Sequence, residues 1–508
     1  MAGKTWSSQV CLPFFILCFY FLFPTNGAPS KPNIIFILTD DLDIQLGGLI
    51  PLTKTKQLIG DAGITFTNMF VTSPLCCPSR SSILTGQYVH NHLVWNNSLS
   101  GNCSSLSWQK KFEPTLFPVK LNKNGYKTFF AGKYLNQYGK ESVGGVQHVP
   151  PGWTSWNGLV GNSVYYNYSL SVNGVLESHG DSYKADYLTD LISRRAVKFI
   201  QHQNINKNPF FMMLATPAPH SPFTSAPQYS KEFANKKAPR DKSFNVHSKD
   251  KHWLVRKAAS PMPNTTISFI DDTFRNRWKT LLSVDDLVEN VVKQLDAVGQ
   301  LNNTYIFFTS DNGYHLGQFS LSFDKRQLYD FDNRVPLLVR GPGIKPKQQR
   351  HEFVLNIDLA PTFLNLTGIP VSNSMDGKSL VPLFQGNVTN EPKFRQNCLI
   401  EHKGEAHVEI RQCPQYKNQG LATCDSNCVC EDSWNNTYGC VRQLSPTENF
   451  KYCEFEDQDH FIEMYDLNKD PFELTNIAST ADPKFVSQLS QELAKLSLCK
   501  GKSCQETT

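Results

Sequence analysis

The sequence lacks a strong charge imbalance, internal repeats, low-complexity tracts and any apolar run long enough to span a membrane. Its 508 residues carry 50 basic and 45 acidic side chains, a net charge of +5 that is too small to indicate nucleic-acid binding. Hydrophobic residues make up 40% and charged residues 19%, which excludes a disordered or fibrous chain. The longest apolar run, residues 11–23, is too short to cross a bilayer. We therefore expect a globular protein with no nucleic-acid partner and no membrane span.

The apolar run at 11–23 is typical of a signal peptide. Lys4 gives a positive start, and the polar and small residues 25–28 suit cleavage nearby. We expect residues 1–27 to be removed and the mature protein to enter the secretory pathway. Eight Asn-x-Ser/Thr sequons agree with that route and predict N-glycosylation. They are at Asn96, Asn102, Asn167, Asn264, Asn302, Asn365, Asn387 and Asn435.

Cysteines are concentrated near the C-terminal end. Of the 14 in the chain, nine lie between Cys398 and Cys504. In an oxidising compartment this predicts a region held together by disulfides, whose pairing the sequence leaves open. The ten mature cysteines other than Cys76 and Cys77 allow five bridges, which would leave Cys77 a free thiol. The alternative is a zinc site built from three of the clustered residues, Cys424, Cys428 and Cys430.

Short apolar runs that end in polar residues predict buried strands at 34–39, 128–131, 210–216 and 305–309. Helical patterns lie between them, for example over 283–295, where Ser283 is a candidate N-cap. The alternation of strands and helices predicts an α/β fold with a mainly parallel sheet covered on both faces. Residues that follow such strands gather at one edge of the sheet, where ligands bind.

The pattern changes at two places along the chain. Residues 222–265, rich in Pro, Lys and Asn, predict a long loop or insertion. The second change comes after residue 378, where a cysteine-rich, polar region begins. We therefore place a boundary near 390, between a catalytic domain at 28–390 and a smaller α+β domain at 391–508. We expect the smaller domain to end in a helix over about 482–497, whose apolar residues share one face.

Residues 76–86, Cys-Cys-Pro-Ser-Arg-Ser-Ser-Ile-Leu-Thr-Gly, form the most informative segment. They match every fixed position of C-x-P-S-R followed by x-x-x-x-T-G, and so resemble the signature of the sulfatase family. The resemblance implies that formylglycine-generating enzyme oxidises Cys76 to formylglycine (3-oxoalanine) in the endoplasmic reticulum. A hydrated aldehyde has two hydroxyls, so one can attack sulfur and the other can then expel sulfate, which divides one hard step into two.

Two acidic pairs follow predicted strands, Asp40-Asp41 after the first and Asp311-Asn312 after a later one. Hard oxygen ligands of this kind suit calcium or magnesium rather than zinc. The resemblance assigns these four residues, together with the modified Cys76, to one calcium ion.

The resemblance also implies roles for four further residues. Arg80 would contact the modified residue and the first carboxylates. Lys133 and Lys325 would bind sulfate oxygens, and His220 would protonate or position the leaving oxygen. One position departs from the family, because Leu135 stands where many sulfatases have a histidine. Three residues are candidates for its proton-transfer role or for binding the substrate: His90, His92 and His315.

The resemblance covers about 31–385 and implies an alkaline-phosphatase-like α/β sandwich. Five segments further resemble the lysosomal branch that removes the 6-sulfate of terminal N-acetylglucosamine in heparan sulfate and keratan sulfate: 102–108, 131–136, 216–222, 309–317 and 428–438. Extracellular endosulfatases, which act on internal sulfates, carry a long basic insertion. The longest candidate insertion here, 222–265, is short and mixed in charge, which favours action at chain ends.

Other functions remain open at this level. The scaffold also suits an arylsulfatase, or a phosphate or phosphonate monoesterase. A secreted glycan-binding protein without activity would be another class, although the intact signature and acidic pairs argue against it. The oligomeric state is open as well, with a homodimer among the alternatives.

Overall fold

The computed structural model describes residues 1–4, 31–202, 208–385, 394–405, 431 and 433–506. Its strands are β1 Asn33–Thr39, β2 Ile64–Phe70, β3 Lys127–Lys133, β4 Ser155–Leu159, β5 Ser169–Val172, β6 Val175–Ser178, β7 Phe210–Ala215, β8 Thr304–Ser310, β9 Arg334–Arg340, β10 Gln348–Arg350, β11 Val354–Leu355, β12 Asn397–His402, β13 Tyr438–Leu444, β14 Asn449–Phe455 and β15 Ile462–Asp466. Its α-helices are α1 Thr53–Thr55, α2 Cys76–Thr85, α3 Val89–His92, α4 Leu106–Lys111, α5 Phe117–Lys123, α6 Tyr183–Asp186, α7 Leu188–His202, α8 Trp253–Arg256, α9 Asn264–Ala297, α10 Asp330–Asn333, α11 Leu359–Leu366, α12 Pro483–Leu498 and α13 Lys502–Gln505.

Some predictions fall outside the described residues. These are the apolar signal run, the sequon at Asn387, the boundary near 390 and the proposed zinc ligands Cys424, Cys428 and Cys430. Within the described ranges, none of the helices is both long enough and apolar enough to cross a membrane.

Eleven strands form one mixed sheet in the order β10-β2-β9-β8-β1-β7-β3-β4-β5-β6, with β11 also paired to β2. The central strands β8, β1, β7, β3 and β4 are parallel to one another. Thr39 at the end of β1 pairs with Ser310 of β8, and Leu38 pairs with Ala215 of β7. These three strands therefore end at the same edge. All four predicted strands are present, and the predicted mainly parallel α/β arrangement is confirmed.

Apolar clusters cover both faces of the sheet, and successive β1 side chains point into opposite clusters. Ile34 and Phe36 pack in a cluster that contains apolar residues of α2, α5 and α11. Ile35 and Ile37 pack in a second cluster with those of α7 and α9. A central strand buried in this way reads as a continuous apolar run, which is why the sequence identified it.

The long helix α9 begins earlier than predicted. Ser283 was expected to cap it, but the helix starts at Asn264, so Ser283 lies in its interior and is buried. The prediction of a start at Ser283 is therefore wrong. Residues 264–282 contain neither glycine nor proline, so nothing in them interrupts a helix that packs against α7.

The C-terminal region contains a second sheet, antiparallel, in the order β12-β13-β14-β15. The helix predicted over about 482–497 is confirmed as α12, although the short helix α13 follows it, so α12 is not the last helix. The side chain of Asp482 accepts a hydrogen bond from the backbone N–H of Lys484 at the start of α12. Leu489, Leu493 and Leu496 on this helix pack with β12 and β13. A small sheet with one packed helix agrees with the predicted α+β architecture.

Three disulfides lie within the described part of the chain. They are Cys77–Cys103, Cys440–Cys453 and Cys499–Cys504, whereas Cys76 and Cys398 are buried thiols. Cys77 is therefore bonded rather than free, a state that the sequence left open. Sequence spacing could not show this, because pairing depends on which loops the fold brings together.

Segment 222–265 is mostly irregular, as predicted, and packs on the C-terminal sheet through Lys251. The ammonium group of Lys251 lies over the rings of Phe319, Tyr329 and Tyr465, with centroid distances of 4.3, 4.9 and 4.4 Å. It donates hydrogen bonds to Tyr465 Oη at 2.7 Å and to the Glu473 carbonyl at 2.5 Å. The lysine is fully buried, so its environment joins the segment to the sheet.

Replacing Lys251 by methionine is expected to destabilise the protein by about 1–3 kcal/mol, because buried oxygen acceptors lose their donor. Chemical denaturation would measure the change in the free energy of unfolding. The exposed neighbour Lys249 provides the control, since Lys249→Met should stay within about 0.5 kcal/mol of the original protein. Equal effects of the two substitutions would contradict this interpretation.

Candidate active site

The charged and polar side chains predicted for the site lie where the central strands end. Asp40 and Asp41 follow β1, and Asp311 and Asn312 follow β8. Lys133 is the last residue of β3, and His220 lies in the loop after β7. Because these strands are parallel and in register, residues far apart in sequence meet at one edge of the sheet.

Helix α2 begins at Cys76, directly against this edge. The Cys76 Sγ lies 3.6 Å from Asp40 Oδ1, and the cysteine is fully buried. Burial raises the pKa of its thiol to about 12. An unmodified Cys76 would therefore be a poor nucleophile at physiological pH, because the thiolate is the reactive form. Pro78 and Ser79 lie in the first turn of the helix.

Three carboxylates converge beside Cys76. One oxygen from each of Asp40, Asp41 and Asp311 lies within 4.8 Å of the others. Burial and the neighbouring Asp40 raise the pKa of Asp311 to about 7, so a bound metal ion would favour ionisation of all three carboxylates. The buried Oδ1 of Asn312 has no hydrogen-bond partner among the residues that the structure describes. Three carboxylates and a free amide oxygen form a donor set that fits a hard divalent cation.

Arg80 connects the two acidic pairs. Its Nε donates to Asp311 Oδ2 at 2.7 Å, and its Nη1 donates to the Lys133 carbonyl at 2.8 Å. Its Nη2 lies 3.6 Å from Asp40 Oδ1 and makes no hydrogen bond within the described part of the chain, although the side chain is only 1% exposed. The guanidinium thus has one buried donor available toward the centre of the site.

Two ammonium groups and one imidazole complete the cluster. Lys133 Nζ lies 2.7 Å from Asp40 Oδ2, and Lys325 Nζ lies 2.7 Å from Asp41 Oδ2. Burial opposes protonation of Lys325, but Asp41 outweighs it and raises the lysine pKa well above its usual value. Burial and the nearby Lys325 lower the pKa of His220 to about 4. The sequence-predicted cations are therefore brought together, with the imidazole neutral near pH 7.

The orientation of His220 is fixed by one backbone contact. Its Nδ1 lies 2.6 Å from the carbonyl oxygen of Ser221, so Nδ1 must carry the proton that it donates. Its Nε2 lies 3.9 Å from Asp41 Oδ2. The side chain is 12% exposed, so this nitrogen is the one available to a substrate atom.

Sequence reasoning missed two residues that contact the acidic pairs. Ser163, which follows β4, donates a hydrogen bond to Asp40 Oδ2. Arg277 of α9 donates to the Asp41 carbonyl at 2.7 Å and to Asp43 Oδ1 at 2.9 Å. No motif surrounds Ser163 or Arg277 in the sequence, and both reach the site only through tertiary packing.

The three candidate histidines are hydrogen-bonded to other groups of the protein. Both ring nitrogens of the buried His315 face carboxylates, Asp332 at 3.0 Å and Glu431 at 3.0 Å. Those carboxylates outweigh the effect of burial and raise the pKa of His315 well above its usual value. With both nitrogens engaged, His315 has neither a lone pair nor a free proton for a substrate.

His90 and His92 are also engaged within the fold. His90 contacts Glu401 at 3.0 Å and the Cys499 carbonyl at 2.9 Å through its two nitrogens. The fully buried His92 contacts Ser82 Oγ at 2.9 Å and the backbone N–H of Val94 at 3.1 Å. Leu135 is buried in the apolar core, so that position contributes no titratable group. In these contacts both histidines hold loops in place and leave no ring nitrogen for a substrate.

The sequons differ in exposure. Asn435 is fully buried and Asn96 is 6% exposed, so a glycan does not fit on Asn435 in this structure. Five sequons have at least partly exposed asparagines and stay predicted glycosylation sites: Asn102, Asn167, Asn264, Asn302 and Asn365.

Sequence comparisons agree with this geometry. The family model described as Sulfatase matches residues 32–369. The human protein N-acetylglucosamine-6-sulfatase is 54% identical over 489 residues, which cover 95% of this chain and 88% of that protein. The Drosophila melanogaster extracellular sulfatase SULF-1 homolog is 43% identical over 383 residues, covering 75% of this chain and 34% of that protein.

Solved structures share the fold at lower identity. BT4656 in complex with its substrate D-glucosamine-2-N,6-O-disulfate superposes with a TM-score of 0.74 at 23% identity, covering 94% of this chain and 99% of that one. The phosphonate monoester hydrolase of Agrobacterium radiobacter superposes with a TM-score of 0.66 at 19% identity, covering 92% and 95%. With a family match over most of its length and relatives above 50% identity, the chain belongs to the sulfatase family.

Proposed function

We propose that this protein hydrolyses the 6-sulfate ester of terminal N-acetylglucosamine in heparan sulfate and keratan sulfate. The observation that carries the proposal is 54% identity to human N-acetylglucosamine-6-sulfatase over 95% of the chain. The buried arrangement of Cys76, three carboxylates and three cations supports sulfate-ester chemistry at this site. It also argues against a glycan-binding protein without activity, because so many buried charges are costly to retain without use.

Each residue of the site has a role in this proposal. Cys76 is converted to formylglycine, whose hydrate supplies the hydroxyl that attacks sulfur. Lys133 and Lys325 bind sulfate oxygens, and Arg80 directs its unpaired Nη2 at the modified residue. Because Nδ1 of His220 donates to Ser221, its Nε2 is the nitrogen available to the leaving sugar oxygen, and it delivers a proton there only after the imidazole has itself taken up a second proton.

We infer that the cation is calcium, held by oxygens of Asp40, Asp41, Asp311 and Asn312 and by the modified Cys76. When bound, calcium would lower the pKa of the attacking hydroxyl and offset charge on the sulfate. The hard oxygen donor set favours calcium or magnesium over zinc.

Exhaustive dialysis against EDTA is therefore expected to abolish turnover and to lower the melting temperature, because the three carboxylates would then repel one another. Adding calcium back should restore both, and zinc should not. Activity measurements and thermal denaturation of the same samples would check this. An enzyme that keeps full activity and stability after metal removal would contradict the assignment.

Action at chain ends is favoured by the higher identity to human N-acetylglucosamine-6-sulfatase, 54%, than to the Drosophila extracellular sulfatase SULF-1 homolog, 43%. The chain matches 88% of human N-acetylglucosamine-6-sulfatase but only 34% of the Drosophila extracellular sulfatase SULF-1 homolog. The signal peptide and sequons support a lysosomal location reached through the secretory pathway. Formylglycine-generating enzyme would be a partner during maturation.

Defined substrates would test the proposal directly. We expect protein from cells that contain formylglycine-generating enzyme to release sulfate from N-acetylglucosamine 6-sulfate at the non-reducing end of a disaccharide. Turnover of an oligosaccharide with only internal 6-sulfates should be at least tenfold slower, as should turnover of phenyl phosphate. Preference for the internal sulfates would instead indicate an endosulfatase, and preference for 4-nitrophenyl sulfate an arylsulfatase.

A further inference from the structure

Lys325, which the proposed function assigns to a sulfate oxygen, lies beside a residue with unusual backbone geometry. A lysine side chain is long and flexible, so its ammonium group is placed reliably only when its backbone is fixed. The next residue, Arg326, has a φ of 95°, which residues with a Cβ rarely adopt. Such a conformation persists only where surrounding contacts impose it. The contacts that fix Arg326 therefore also place Lys325.

Two side chains at the start of β13, in the C-terminal sheet, hold the Arg326 carbonyl. Tyr438 Oη donates to this oxygen at 2.9 Å, and Asn436 Nδ2 donates to it at 3.1 Å. Both donor residues are 1% exposed, so water does not compete for these bonds. The amide of Asn436 is itself fixed, because it also donates to the Glu431 carbonyl at 2.7 Å.

The Arg326 side chain is fixed by a second set of contacts. Its Nη1 lies 2.6 Å from Asp324 Oδ2, and its Nη2 lies 2.9 Å from Glu405 Oε2. The other oxygen of Glu405 accepts from the backbone N–H of Asn97 at 2.8 Å, and Asn97 Oδ1 accepts from the N–H of Cys77 at 2.9 Å. The Lys325 segment is thus connected to the start of α2.

We infer that Tyr438 and Asn436 are positioning residues for sulfate binding. By holding the Arg326 carbonyl they fix the backbone from which Lys325 reaches to within 2.7 Å of Asp41 Oδ2. The proposed function assigns neither residue a contact with the substrate, so both act through Lys325. This inference rests on the proposed function and extends it, since it gives the C-terminal sheet a part in the sulfate site.

The substitution Tyr438→Phe removes the donor and keeps the ring, which packs near His402 and Phe455. We expect kcat/KM for the sulfated disaccharide and for 4-nitrophenyl sulfate to fall at least tenfold. In a Lys325→Met background the same substitution should change kcat/KM less than twofold, because no ammonium group is left to misplace. A purely structural role would give the same loss in both backgrounds and would overturn the inference.

Tyr452→Phe is the matched control. Tyr452 lies on β14 of the same sheet and donates to Glu454 Oε1 at 2.6 Å, away from Arg326. The substitution Tyr452→Phe should lower kcat/KM less than twofold. If Tyr438→Phe is poorly secreted, Asn436→Asp removes the other donor and carries the same expectation. A Tyr438→Phe or Asn436→Asp enzyme within twofold of the original would overturn the inference.

A binding measurement separates this inference from the proposed function. Inorganic sulfate should raise the melting temperature of the original protein, and Tyr438→Phe should need at least fivefold more sulfate for half of that rise. An unchanged sulfate dependence would overturn the inference even if the enzyme is active. A protein stabilised by sulfate in this Tyr438-dependent way, yet inactive on N-acetylglucosamine 6-sulfate, would support the inference and count against the proposed substrate. A protein with no response to sulfate and no turnover would overturn both.

Discussion

Replacing Cys76 by alanine is expected to lower turnover by about a thousandfold or more while the protein still folds and is secreted. Alanine cannot be oxidised to formylglycine, so the proposed nucleophile is lost. Folding should survive because Cys76 is outside the disulfides and its thiol makes one long hydrogen bond within the described residues, 3.6 Å to Asp40. Initial rates on the sulfated disaccharide would measure the loss.

Cys398 provides a control for this prediction, because it is the other buried thiol in the described part of the chain. It lies on β12 of the C-terminal sheet, so Cys398→Ala should leave the rate within a factor of two. Mass spectrometry of the peptide that spans residue 76 should show formylglycine in the original protein and in Cys398→Ala. Normal turnover by Cys76→Ala, or an unmodified thiol in active enzyme, would exclude the proposed nucleophile.

Replacing Arg80 by lysine is expected to lower kcat/KM by about a hundredfold, close to 2.7 kcal/mol of transition-state stabilisation. A lysine has one ammonium group and cannot reach Asp311, the Lys133 carbonyl and the centre of the site together, as the planar guanidinium does. Stability should also fall by about 1–3 kcal/mol, because a buried acceptor loses its donor. Steady-state kinetics and chemical denaturation would measure the two effects.

Arg350 on the edge strand β10 is a suitable control for the loss of a guanidinium group. It contacts Glu352 at 3.5 Å and the Gln385 carbonyl at 2.6 Å, both outside the active site. We expect Arg350→Lys to keep the original kcat/KM and to change stability by less than about 0.5 kcal/mol. If Arg80→Lys retained a third or more of the original activity, the role assigned to its planar geometry would be wrong.

Most of the fold could be predicted because the sheet is buried on both faces. Its central strands are apolar runs whose last residues are polar, and the register of β1 with β8 places Asp40 near Asp311 without further information. The start of α9 could not be placed, because Ser283 has the chemistry of a cap but lies within a longer helix. Local residue preference was overridden there by packing of the helix against α7.

The histidines show the limit of the same reasoning at the site. A sequence gives the position of an imidazole but not the partners of its two nitrogens. His315 and His220 were both candidates, yet His315 lies between two carboxylates, whereas His220 keeps one nitrogen available. Ser163 and Arg277 were missed for the related reason that their contacts with the Asp40–Asp43 segment cross more than a hundred residues.

The sequence by itself determined the class of chemistry, because the residues that carry it form contiguous motifs whose side-chain types limit the reaction. It also determined the strands, since a run of buried apolar residues has few alternative structures. Only the tertiary structure decided that Cys77 is bonded to Cys103 and that the C-terminal sheet holds the Lys325 segment. It also decided that the rings of His90, His92 and His315 are hydrogen-bonded to other groups of the protein. These properties depend on distances between remote parts of the chain, which are set by packing rather than by local pattern.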